Sequence, residues 1–144
     1  MHSRILVLND SNYDCERIYE DMSTYGNSVD YVCESDASYE SDYKWVMAYL
    51  RDMGFFYNKN EDGFVIESVE NFWDKMTKDV NKILTENMGR IAKENRWFIE
   101  DRVAMKHEFW IWYDNGLWTL PYFMEYVANQ GEEYKITKFL DYHF

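Results

Sequence analysis

The spacing of apolar positions changes several times along the chain, and each change marks an element. Arg4-Ile5-Leu6-Val7-Leu8 is a short, branched, apolar run that stops at Asn9-Asp10-Ser11, the pattern of a buried strand meeting a turn. From about Tyr13 to Thr24 the pattern becomes helical, with Ile18 and Met22 on one side, Ser11 or Asp10 as the capping residue and Gly26 as the stop. Val29 to Cys33 alternates weakly and reads as a second strand, and Ser35 to Ser41 is polar and loop-like. Tyr43 to Met53 carries Trp45, Val46, Tyr49 and Leu50 at helical spacing, with Gly54 placed to end the helix. Phe55 to Tyr57 and Phe64 to Ile66 flank Asn58-Lys59-Asn60-Glu61-Asp62-Gly63, which reads as a hairpin and its loop.

The strongest period follows. Val69, Phe72, Met76, Val80, Ile83 and Ile91 recur at intervals of three and four with one skipped turn, predicting a helix over 70–95 capped by Ser68. Gly89 weakens it by about 1 kcal/mol against alanine. Ala104 to Tyr113 fits a strand or the end of a helix, and the Asp114-Asn115-Gly116 turn decides for a strand, with Leu117 to Leu120 pairing back. Phe109, Ile111 and Tyr113 then oppose Trp110 and Trp112, so one set needs a covering helix or an external partner. The 70–95 helix is the expected cover. Pro121 opens a further helix with Tyr122, Phe123, Tyr126 and Val127 on one face before Gly131, and Tyr134 to Phe144 is expected to form a last short helix.

These elements predict one α+β domain over 1–144, a small mixed or antiparallel sheet packed against helices. A chain of 144 residues suits that reading, being long enough to bury about 70% of its unfolded surface. Its 19% aromatic content and single proline argue against disorder. Trp110, Trp112, Trp118 and Tyr122 form an aromatic concentration that is a core layer by default, or else a ligand pocket or partner patch. Cys15 and Cys33 have neither CxxC spacing nor partner histidines, so reduced thiols are expected. The opening MHSRILVLND lacks a signal peptide's long apolar region, and the longest strongly apolar run, Phe109 to Tyr113, is too short to cross a bilayer, so a cytoplasmic protein is expected.

Charge adds the most informative feature. Residues 1–70 hold fifteen Asp and Glu against five Lys and Arg, whereas 71–144 hold twelve against ten, so an acidic N-terminal half precedes a near-neutral, aromatic-rich C-terminal half. The acidity is densest where Asp10, Asp14, Glu16, Glu20, Asp21, Asp30, Glu34, Asp36, Glu40 and Asp42 accompany the single basic residue Arg17. Such a field repels nucleic acid and attracts basic proteins. If helical, Glu16 with Glu20 and Asp36 with Glu40 lie about 6 Å apart, a spacing at which carboxylates stand in for the phosphates of one strand.

Other chemistry finds little footing. The Asn58 to Gly63 loop resembles half an EF-hand, but Val69 stands where the twelfth-position glutamate is required. His107-Glu108 lacks a nucleophile or metal to serve, and a three-histidine site would need His2 and His143 to converge on His107. The six glycines are isolated, which disfavours a phosphate-binding loop. No enzyme activity and no cofactor are therefore expected. The ten carboxylates instead suggest an inhibitor that binds a basic nuclease or other nucleic-acid-handling protein by phosphate mimicry. In size, acidity and lack of catalytic motifs it is similar in kind to the small phage-encoded antagonists of restriction or CRISPR nucleases. An immunity protein or antitoxin against a nuclease toxin, or a phage or bacterial structural or accessory protein, are the alternatives.

The charge alone generates one expectation. At physiological salt the protein should show no measurable affinity for duplex DNA or RNA in a mobility-shift titration; tight binding that weakens as salt rises would reveal a basic groove and overturn the mimicry reading.

Overall fold

The computed structural model describes residues 2–24, 29–35, 39–57, 62–91 and 109–143. Along the chain these form β1 (His2–Leu8), α1 (Cys15–Thr24), β2 (Tyr31–Glu34), α2 (Tyr39–Asp52), β3 (Phe55–Tyr57), β4 (Gly63–Ile66), α3 (Val69–Ile91), β5 (Phe109–Tyr113), β6 (Gly116–Thr119), α4 (Leu120–Tyr126) and β7 (Glu133–His143). The fold is α+β, as the alternating periods predict. The strands make one open mixed sheet in the order β3-β4-β7-β1-β5-β6, with β2 also paired to β7.

The largest departure from expectation is β7. Tyr134 to His143 is not a terminal helix but the longest strand, antiparallel to β1, β2 and β4. The register with β1 slips between Val7, opposite Lys138, and Leu8, opposite Ile136, leaving Thr137 as a bulge. The Thr137 hydroxyl donates to the Val7 carbonyl at 3.2 Å and ties the bulge to its partner. The extra residue puts Tyr134, Ile136 and Phe139 on one face and Leu140 and Tyr142 on the other. Read together, the two faces space Ile136, Phe139, Leu140 and Tyr142 by three and four residues across the bulge, which hides the alternation of the strand.

With β7 between them, β1 and β2 run parallel, so β1-α1-β2 is a split β-α-β unit. Alternation along β1 divides the core. Leu6 and Leu8 join Phe109, Ile111 and Phe139 under Val46, Met47 and Leu50 of α2, Phe72 and Met76 of α3, and Phe123 and Met124 of α4. Ile5 and Val7 join Trp110, Trp112, Leu117, Leu140 and Tyr142 under Ile18 and Met22 of α1. The tryptophans are therefore covered by α1 and not by α3, whose Phe72 and Met76 pack on the opposite face.

Local signals place most ends. The expected cap of α1 moves from Asp10 or Ser11 to Asp14, whose Oδ1 accepts from the Glu16 backbone N–H at 2.9 Å. Ser68 caps α3 as expected, accepting from the Asn71 N–H at 3.1 Å. Helix α2 starts a turn before Tyr43 and stops at Gly54, whose φ of 95° suits glycine. The β5–β6 turn has Asp114 and Asn115 both left-handed, at φ 50° and 58°, matching the twist of a two-residue hairpin. Gly63 lets β4 approach β7, since a Cβ there would lie 2.5 Å from the Tyr134 carbonyl oxygen. In α4, Phe123 is buried with Val127 packed beside it, while Tyr122 and Tyr126 are exposed, so the expected shared face splits in two. The expected end of α3 at Asn95, the stop at Gly26, the loop over 36–38 and the strand start at Ala104 lie outside the described residues.

The central position of β7 has a measurable consequence. Phe139→Ala should cost about 3–5 kcal/mol in urea denaturation, because the buried ring leaves a cavity beneath α2, whereas Tyr122→Ala on exposed α4 should stay within about 0.5 kcal/mol of wild type.

Candidate partner-binding surface

Pairing β7 between β1 and β2 sets cations from one end of the chain against acids from the other. Arg4 donates from Nε to Asp42 Oδ2 at 2.8 Å and from Nη1 to the Asp141 carboxylate, joining α2 to the sheet through half-buried groups. His143 Nδ1 lies 2.6 Å from Asp30 Oδ2, and its ring stacks on Tyr31 at 5.7 Å. Glu34 accepts from Lys138 Nζ at 2.8 Å and from the Tyr13 hydroxyl at 2.6 Å. These two hydrogen bonds, the lysine's first, hold the Glu34 carboxyl below the usual carboxylate range. Three of the ten predicted carboxylates, Asp30, Glu34 and Asp42, thus each lie against a basic side chain, that of His143, Lys138 and Arg4 respectively.

The remainder divides further. Asp36 lies outside the described residues, and Glu40 sits in the first turn of α2. The expected Asp36–Glu40 spacing therefore falls partly outside the described residues. Asp14 is committed to capping, and Asp21 is half-buried. Asp10 is exposed in the turn after β1, at a φ of 53°.

Glu16 and Glu20 keep the expected arrangement. Both are exposed, one turn apart on the side of α1 opposite Ile18 and Met22. Arg17, between them in sequence, turns toward the sheet, its guanidinium carbon 5.7 Å from the Trp112 ring centroid and its Nη2 donating to the Asn115 carbonyl at 3.3 Å. Trp112 is itself fixed, its indole N–H donating to the Asn12 carbonyl at 2.7 Å. The one base of the acidic segment is thereby drawn to the β5–β6 hairpin. What the arrangement can do is present fixed negative charge from a short, well-anchored helix.

Cys15 is half-buried and Cys33 exposed, and neither is in a disulfide. Burial pushes the Cys15 thiol up, with the neighbouring Cys33, Glu34 and Asp14 acting in the same direction. This is the opposite of the environment a nucleophilic cysteine needs. Among the described residues no group of three or more His, Cys, Asp or Glu is arranged to hold a metal ion. His107, Glu108 and residues 58–61 lie outside the described residues. No described helix is long and apolar enough to cross a membrane. Besides the carboxylates, the surface exposes Trp45, Tyr122 and Tyr126, which the sequence placed in helices without separating inner from outer positions. The signal was present in the helical offset of about 100° between the 122/126 and 123/127 pairs.

No protein-family model, no curated protein and no solved structure matches this chain.

The Glu34 contacts yield a titration. Followed by carboxyl carbon NMR, Glu34 should titrate below the ordinary glutamate value, and Lys138→Met should raise its midpoint. A depressed folded-state pKa means the contact is present at neutral pH and is lost as pH falls through that midpoint. An unchanged midpoint in the variant would show that the lysine contact does not persist in solution.

Proposed function

We propose that the protein is an acidic binding protein that inhibits a basic, nucleic-acid-handling protein in the reducing cytoplasm. In this reading the exposed side of α1 occupies a surface that would otherwise hold phosphates. The observation that carries it is the placement of Glu16 and Glu20 one turn apart in water while the guanidinium of the exposed Arg17 is directed to Trp112 and the Asn115 carbonyl. The phosphate-like segment is correspondingly narrower than ten residues. Glu16 and Glu20 are its centre, Asp10 is at its border, and Asp30, Glu34 and Asp42 serve the fold. An antagonist of a restriction or CRISPR nuclease fits this role.

Capture on the immobilised protein at low salt tests the proposal. The retained protein should bind nucleic acid and should be released by competing duplex DNA. Glu16→Lys with Glu20→Lys should weaken retention about three- to thirtyfold, because exposed pairs contribute about 0.2–1 kcal/mol each and reversal replaces attraction with repulsion. The equal charge change Glu67→Lys with Asp74→Lys, on exposed positions around the start of α3, should have a smaller effect. A partner that remains bound under saturating DNA would overturn phosphate mimicry.

A further inference from the structure

Helix α4 buries Leu120, Pro121, Phe123 and Met124 yet leaves Tyr122 and Tyr126 in water, 52% and 65% exposed. The two rings stack on each other one turn apart, with centroids 6.0 Å apart and planes within 15°. Each ring restricts the rotamers of the other, so little further ordering is needed when a partner settles on them. The adjacent, exposed Glu125 carboxylate pushes the Tyr126 phenol's pKa up, chiefly by favouring the protonated hydroxyl as a donor and then by its charge.

The surrounding segment contains no cation. From His107 to Tyr134 the sequence has no Lys or Arg, while Glu108, Asp114, Glu125, Glu132 and Glu133 fall within it. Electron-rich ring faces beside a carboxylate complement a cation, and a guanidinium suits them better than an ammonium. It is planar enough to lie on a ring and forked enough to meet a carboxylate with two N–H groups.

We propose that Tyr122, Tyr126 and Glu125 form a docking platform for an arginine side chain of the basic partner protein. This rests on the reading of a basic partner but places a second contact on α4, separate from Glu16 and Glu20 on α1.

Amide NMR of the full chain titrated with a hexa-arginine peptide tests it, with hexalysine as the comparison. The amides of 122–126 should shift, and arginine should bind more tightly than lysine. Tyr122→Ala with Tyr126→Ala should weaken the arginine peptide by about two- to fivefold per ring. Glu125→Lys supplies an independent loss, and unchanged resonances elsewhere verify folding. Equal affinity for the two peptides, wild-type affinity in the double-alanine variant, or shifts confined to α1 would each overturn the platform. None of those results bears on partner retention by Glu16 and Glu20, whose loss in the α1 variant is read separately.

Discussion

The structure depends on the pairing of β7 with strands on both of its sides. Its eleven residues meet β1 along one edge, and β4 and β2 successively along the other, so the two ends of the sheet join only through this strand. Thr137 makes that possible. Without the bulge, Tyr134 and Ile136 would share a face with Leu140 and Tyr142, and one of the two apolar sets would turn away from its covering helices. The Thr137 hydroxyl on the Val7 carbonyl and the Asn9 side-chain oxygen accepting from the Lys135 N–H hold the register on either side of the slip.

The same pairing decides where charge lies. Read along the chain, the ten acids from Asp10 to Asp42 have only Arg17 among them. Folded, β7 brings Lys138 to Glu34 and His143 to Asp30, while Arg4 joins Asp42 to Asp141. Polarity along a sequence becomes polarity across a surface only where the two halves remain apart, and here the sheet interleaves them. A local reading of charge could recognise Glu16 and Glu20, whose spacing is set by one helix, but not the pairings of Asp30, Glu34 and Asp42.

Legibility followed the range of the interactions. The capping of α3 by Ser68, the turn at Asp114-Asn115, the stop at Gly54 and the buried face of Ile18 and Met22 are settled within a few residues, and each was readable. The class of fold followed from them. Strand β7 was not readable because its bulge hides the alternation of the strand, and its centrality comes from partners more than a hundred residues away in β1 and β2. The cover over Trp110 and Trp112 was assigned to the wrong helix for a related reason. Periodicity shows that a face is apolar, but only sheet topology shows which helix crosses it. The start of α1 at Cys15 is a smaller case, where Asp14 competed with Asp10 and Ser11 for the cap.

Helix α1 combines two demands that usually conflict. Ten residues must cover a face containing two tryptophans and also carry exposed carboxylates whose mutual repulsion favours unfolding. The conflict is relieved by dividing the helix by side. Ile18 and Met22 anchor it against Trp110 and Trp112, Asp14 satisfies a first-turn N–H, and Arg17 rests on the Trp112 ring. Each of these fixes the backbone that carries Glu16 and Glu20, so the one-turn offset of the two residues is set by the packing of the core beneath them. For the proposed partner this leaves only the two glutamate side chains, and not the helix that carries them, to be ordered on binding.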